Sequence, residues 1–461
     1  MGFLCLFVAA INLHAVSFAF PSSWCNVMSP PGPIPDNVLY FNTKSRYEEV
    51  NPYLMSDVLA INQSWVKPPS PQCRAVHLSA IIRHGTRYPT SGNIKKMIQF
   101  TKLVKSRADL SCVKELQSWK MWYKEDMDGR LVEKGRSDHR HLARRLIKAF
   151  PTLITKENLR EGRVKFLTSS KHRCVNSTLA FKHGVLEDWQ RGLDLPHTID
   201  DKLMRFFDQC QRLVETVENN KDAVREVELF KNGPEMKRVQ EKLADRLQLP
   251  YINVSTDAVE TAFYLCAYEF TIRSMNTPWC RLFDDADGQV LEYSGDLKQF
   301  WKRGFGHDIN SKASCILFHD LFKTPRLLVS EQKRRVSGGR VSEAVMVQVG
   351  HAETLLPLLT LLDLFKDDVP LNSSNFASHH SRVFRTGQIV PYAANLLMAL
   401  FNCPDGLRLQ ARLNERPLIL PGLDELSPLY LDVRKTIRTA AAGMRPGHGV
   451  QAGQLQAKLK V

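Results

Sequence analysis

Nothing in this chain of 461 residues is both long and apolar enough to cross a bilayer as a helix. The opening MGFLCLFVAAINLHAVSFAF carries an apolar run of only about ten residues. The best later stretch, Thr354 to Phe365, is broken by Pro357 and Asp363. Paired CxxC spacings are missing, which argues against a zinc ribbon or finger. Blocks rich in Lys and Arg are missing too, apart from Lys333-Arg334-Arg335 beside Ser337-Gly338-Gly339, so the formal charge of +15 is spread along the chain. Aromatic-rich nucleic-acid signatures and internal repeats are likewise absent, and no nucleic-acid partner is expected.

What is present points to a secretory route. The first 19 residues read as a cleaved signal peptide, with Ser17 and Ala19 in small-x-small spacing, although no Lys or Arg precedes the apolar run. Once Cys5 leaves with it, nine dispersed cysteines remain at 25, 73, 112, 174, 210, 266, 280, 315 and 403. Dispersion favours disulfides, and the odd number leaves a free thiol. Sequons at Asn62, Asn176, Asn253 and Asn372 are glycosylation candidates. A basic mature protein attracts polyanions, small polyphosphates among them.

Three segments run from an apolar strand through a polar turn into an amphipathic helix, the pattern of a parallel α/β sheet. They are AVHLSAII (75–82) before NIKKMIQFTKLV, RVKFLTSS (163–170) before a helix bearing Val175, Leu179 and Leu186, and AVMVQVG (344–350) before a helix starting near Ala352. The expected fold is therefore α/β, a mostly parallel central sheet flanked by helices. The α/β domain comprises 38–190 and 335–437, and the charged helical periodicity of 191–334 suggests an insertion over the crevice. Residues 438–461, small, polar and without acids, are expected to be unstructured.

Ligands of open α/β sheets bind beyond the carboxyl ends of the strands, so the three turns, RHGTR, SSKHR and HAE, should share one crevice. An imidazole at His84 could attack phosphorus, and guanidiniums at Arg83, Arg87 and Arg173 suit phosphate oxygens two at a time. His351 could donate to the same phosphate and Glu353 could protonate the departing oxygen. Taken singly, Arg173 would as often be a solvated arginine at a helix start, and His351 or Glu353 would more often cap a helix. The whole R-H-G-x-R-x-P pattern, however, arises by chance in such a chain only about once in ten thousand.

These residues resemble the histidine phosphatase superfamily in its acid phosphatase and phytase branch. The stretches TKSRYEEVNPYL (43–54), MDGRLVEKGR (127–136), LTSSKHRC (167–174), DKLMRFFD (201–208), WKRGFGHDINSKASC (301–315), GHAETLLPLL (350–359) and GQIVPYAANL (387–396) extend the likeness to the multiple inositol polyphosphate phosphatases, from about Tyr40 to Ile437. The resemblance implies stepwise hydrolysis of inositol hexakisphosphate and lower inositol polyphosphates, with 2,3-bisphosphoglycerate as a second substrate class. It implies no cofactor and no metal, His84 as nucleophile, Glu353 as proton donor, and Arg83, Arg87, Arg173 and His351 as phosphate ligands. Lys171, Lys202, Arg205, Lys302 and Arg303 fall in matching segments and are expected to form an outer phosphate shell. Such enzymes often end in an ER-retention tetrapeptide, whereas this chain ends Lys-Leu-Lys-Val, which leaves secretion open beside the ER lumen. A glycan on Asn176 would crowd the pocket, so that sequon should be empty or turned away. Two other readings are a broad-specificity acid phosphatase and a non-catalytic binder of polyanions.

Overall fold

The computed structural model describes residues 32–110, 114–187, 194–327 and 343–443. The leader expected at 1–19, Cys25, Cys112, the basic triplet at 333–335 and everything after 443 lie outside the described residues.

Strand β1 (Arg74–Arg83) leads to helix α1 (Ser91–Arg107), and after a loop comes α2 (Glu133–Ala149). Strand β2 (Val164–Thr168) is followed by α3 (His172–Leu186) and by the two-residue β3 (Thr198–Ile199). A run of helices follows, of which the longest are α4 (Pro234–Leu247), α5 (Thr256–Arg273) and α6 (Asp285–Arg303). The chain then returns through β4 (Val345–Gly350), α7 (Ala352–Leu361), the strands β5 (Asn395–Cys403), β6 (Gly406–Leu413) and β7 (Arg416–Leu418), and α8 (Tyr430–Gly443).

The seven strands lie in the order β3-β2-β4-β1-β5-β6-β7. Pairing is parallel from β3 to β1 and antiparallel from β1 to β7. A mostly parallel sheet thus describes the half that ends in the three polar turns. The other half is a meander, because Pro404-Asp405 closes a hairpin between β5 and β6 that needs no crossover. The disulfide Cys73–Cys403 ties the start of β1 to the end of β5.

Alternation along β1 separates two cores. Leu78, Ala80 and Ile82 pack with Leu142 and Leu146 of α2 and Phe181 and Val185 of α3, while Ile81 faces the other side, toward the insertion helices. Two further boundaries shift. The segment from 191 onward, expected to be helical, first supplies β3, which pairs with β2. The tail expected to be unstructured from 438 begins inside α8, whose end Thr-Ala-Ala-Ala is made largely of strong helix formers.

Level strand ends position the site. In register, Thr168 of β2 lies beside Val349 of β4, and Arg83 of β1 lies beside Gly350 of β4. The residues that follow, Ser169, His351 and His84, are therefore neighbours across strands about 4.8 Å apart. The turn after β1 is pressed against α2, since a Cβ on Gly85 would collide with the backbone of Gly135, and one on Gly135 with the backbone of Thr86. Gly135→Ala is expected to destabilise the protein by about 1–3 kcal/mol through overpacking and to lower activity by displacing the His84 turn. Denaturant unfolding and initial rates measured on the same sample check both.

Candidate active site

Arg83 and His84 are clamped by backbone on three sides. Arg83 donates its amide to Ala394 O (2.7 Å), His84 donates to Gly350 O (2.9 Å), and Ala393 donates to His84 O (3.2 Å). From beneath, His139 Nε2 donates to Arg83 O (3.1 Å), and the amide of Gly85 donates to Ser177 Oγ on α3 (3.1 Å). Both side chains are 3% exposed.

The imidazole of His84 has a defined tautomer. Its Nδ1 is 2.9 Å from Gly85 O, which can only accept, so Nδ1 carries the proton and Nε2 keeps its lone pair. Burial, then the charges of Arg173, Arg83, His351 and Arg87, push its pKa well below the usual histidine value. It is neutral, as attack on phosphorus requires.

The guanidiniums around it are held by neutral groups. Arg83 Nη1 donates to Thr43 O (2.7 Å) and Val390 O (2.5 Å), and its plane lies 4.5 Å from the ring centre of Tyr392. Arg87 Nη1 donates to Tyr88 O (2.8 Å) and to the hydroxyl of Tyr268 on α5 (3.2 Å). Arg173 Nη2 donates to His351 Nδ1 at 3.4 Å, so the remaining proton of His351 sits on Nε2, which donates to Ser169 Oγ (3.0 Å). Among the described residues none of the three is in an ion pair, and each keeps a buried Nε without a partner. Their charge is left for an anion.

The rings of His84 and His351 lie 5.5 Å apart. His351 caps α7, with its amide donating to Thr354 Oγ1 (2.9 Å), and its pKa is lowered to about 3, chiefly by burial. Glu353 follows in the first turn of α7, where the exposed amides of a helix start favour negative charge. Burial alone would raise its pKa, but Arg303, His351, the helix amide and Arg83 bring it down to about 2. Because His351 is neutral above about pH 3, the guanidiniums and the helix start keep the carboxyl ionised while the site is empty.

The structure brings Arg83, His84, Arg87, Arg173, His351 and Glu353 into one crevice, and the expected outer shell divides. Arg303 acts on Glu353 from α6 while pairing with Glu218, which Lys302 also reaches (3.1 Å). Arg205 acts on His351 and pairs with Asp201 and Asp208. Lys171 and Lys202 are exposed beyond the second turn. Asn176 is half-buried within α3, and the hydroxyls of its sequon are buried: Ser177 takes the Gly85 amide and Thr178 donates to Cys174 O (3.0 Å). Asn62, Asn253 and Asn372 are half-buried near turns.

Motif reading missed Tyr268, Tyr392, Ser169, Ser177, Lys44 and Lys298. Tyr392, Ser169 and Lys44 stand within stretches that carry the family likeness, whereas Tyr268 sits in a largely buried helix and Lys298 in an amphipathic one, both without a motif.

Residues 76–417 match the model of the histidine phosphatase superfamily, branch 2. A multiple inositol polyphosphate phosphatase 1 of Homo sapiens is 42% identical over 440 residues, covering 89% of this chain and 88% of its own. Its counterpart in Gallus gallus is 44% identical over 404 residues, covering 86% and 88%. The fold is shared with a multiple inositol polyphosphate phosphatase of Bifidobacterium longum solved with inositol hexasulfate, at a TM-score of 0.66 and 13% identity over 86% of this chain and 97% of that one. The chain belongs to branch 2 of the histidine phosphatase superfamily and, within it, to the multiple inositol polyphosphate phosphatase family.

Proposed function

We propose that this protein removes phosphate stepwise from inositol hexakisphosphate and lower inositol polyphosphates through a phosphohistidine at His84, with 2,3-bisphosphoglycerate as a further substrate. The observation that carries the reading is a neutral imidazole, its Nε2 unprotonated, beside three guanidiniums that among the described residues have no carboxylate ion pair. The names of the human and chicken relatives supply the substrate class. The disulfides Cys73–Cys403 and Cys266–Cys280 support passage through an oxidising, secretory compartment, the ER lumen or beyond.

His84 Nε2 attacks the phosphorus of a bound monoester, forming an N–P bond as the ester O–P bond breaks. Arg83, Arg87 and Arg173 neutralise the equatorial oxygens as charge redistributes. Glu353 gives its proton to the departing inositol oxygen. Water then attacks the phosphohistidine, Glu353 takes up the proton, and the N–P bond breaks to release phosphate and neutral His84. A proton donor that is ionised in the empty site must gain its proton with the substrate. The incoming phosphates offset Arg303 and Arg83, which raises the carboxyl pKa. The outer cations Lys171, Lys202, Arg205, Lys302 and Arg303 are assigned to the remaining phosphates.

His84→Ala should abolish phosphate release from inositol hexakisphosphate, and acid-quenched samples should contain no phosphoenzyme. Release that persists in the folded variant would rule out the covalent route. Glu353→Gln should lower kcat on inositol hexakisphosphate by about 10²–10⁴-fold. The fall on p-nitrophenyl phosphate should be much smaller, since that leaving group needs no proton. Arg303→Met removes the largest influence holding Glu353 ionised, so its pKa rises and the alkaline limb of the kcat–pH profile moves to higher pH. An unmoved limb would contradict this pairing.

A further inference from the structure

Unpartnered cations do not stop at the catalytic guanidiniums. One face of α5 presents Asp257, Glu260, Tyr264 and Tyr268 at intervals of three and four residues, so these side chains lie along a single stripe. At its inner end Tyr268 holds Arg87 at 3.2 Å. One turn further out, about 6 Å along the helix, Lys44 Nζ sits 3.9 Å from the ring centre of Tyr264. Beyond it Glu260 takes Lys231 at 3.0 Å, and Asp257 takes Lys96 at 2.9 Å.

Lys44 reaches this stripe from the segment whose Thr43 carbonyl anchors Arg83. That segment is fixed in turn by Asn42 Nδ2, which donates to Glu292 O (2.8 Å) and Asp296 Oδ1 (3.1 Å) on α6. Lys298, also on α6 and exposed to solvent, lies close enough for its charge to act on Lys44. The neighbourhood holds five ammoniums, Lys44, Lys96, Lys231, Lys298 and Lys302, against three carboxylates, Glu218, Asp257 and Glu260. Lys96, Lys231 and Lys302 are in ion pairs; among the described residues none is recorded for Lys44 or Lys298. Burial, with Arg87, Lys298 and Arg83 nearby and only Glu260 opposing, lowers the Lys44 pKa to about 7. Lys298 is shifted the same way, first by burial and then by Lys231, Lys302 and Lys96. Excess cation charge gathered beside the crevice has no structural purpose of its own, since like charges repel and destabilise the empty state.

We infer that Lys44 and Lys298 form a subsite for a second, non-reacting phosphate of the substrate whose first phosphate lies on Arg83, Arg87 and Arg173. The inference rests on the phosphatase reading above and deepens it, because the pair makes the enzyme prefer clustered phosphates to isolated monoesters. A phosphate on a neighbouring ring carbon falls one helical turn from Arg87, where Lys44 stands. The five cations of the outer shell proposed above are not needed for this contact.

The test compares kcat/KM for inositol hexakisphosphate with that for p-nitrophenyl phosphate in the full chain and in Lys44→Gln, Lys298→Gln, the double variant and Lys44→Arg. In Lys44→Gln the ratio should fall about tenfold, the loss of one charge-assisted contact, with a larger fall in the double variant and most of the ratio kept in Lys44→Arg. Calorimetry with inositol hexasulfate gives a second readout that requires no turnover, and the double variant should bind it more weakly. An unchanged ratio, or unchanged hexasulfate affinity in a folded double variant, overturns the subsite. A wild-type protein that hydrolyses the aryl ester but not inositol hexakisphosphate would instead refute the proposed function.

Discussion

Positive charge is buried here in two ways, and the difference between them organises the molecule. Two buried arginines that serve the fold meet carboxylates, Arg145 pairing with Glu415 at 2.7 Å and Arg382 with Glu292 at 2.8 Å and Asp296 at 2.6 Å, while Arg412 is held by Gln410. In the crevice Arg83, Arg87 and Arg173 meet carbonyl oxygens, tyrosines and a neutral imidazole instead. These partners orient a guanidinium without neutralising it. The electrostatic cost of the empty site is therefore recovered only when an anion enters, which is why the same groups that keep His84 neutral also receive its target.

The fold supports this arrangement through register more than through loops. Parallel pairing of β2, β4 and β1 with level carboxyl ends puts Ser169, His351 and His84 side by side on backbone that strand hydrogen bonds hold rigid. The antiparallel strand β5 closes the other flank of β1, and the chain entering it supplies the Ala394 carbonyl and Ala393 amide that hold Arg83 and His84. Close contact of Gly85 with Gly135 lets α2 support the turn from below. Small displacements would be felt at once, because the end of β1 and the turn after it carry Arg83, His84 and Arg87, α3 carries Arg173, and the start of α7 carries His351 and Glu353.

The helices between β3 and β4 contribute side chains to the crevice. Tyr268 from α5 touches Arg87, and Arg303 from α6 sets the ionisation of Glu353. Asp296 and the Glu292 carbonyl of α6 anchor the segment that carries Thr43 and Lys44. The empty site holds Glu353 as a carboxylate, so in the proposed mechanism anion binding and uptake of its proton are one coupled event.

The candidates His84, Arg83, Arg87, Arg173, His351 and Glu353 were legible in the sequence because each lies at, or within five residues of, the carboxyl end of a strand, where local patterning and a rare motif coincide. The α/β class was legible for the same reason, as strand-turn-helix units announce themselves within about thirty residues. The antiparallel half was less so, although the Pro404-Asp405 turn and the alternation of Leu407, Leu409, Ala411 and Leu413 carry its signal. Tyr268, Lys298 and Lys44 took their places only through tertiary structure. Lys44 lies more than two hundred residues before the helices that carry Tyr268 and Lys298, and a tyrosine or lysine on a helix has no local feature to separate it from a core or surface residue. Local physics settles where a strand stops and a helix begins; which distant side chains then share a crevice depends on how the insertion packs on the sheet, and that is a property of the whole chain.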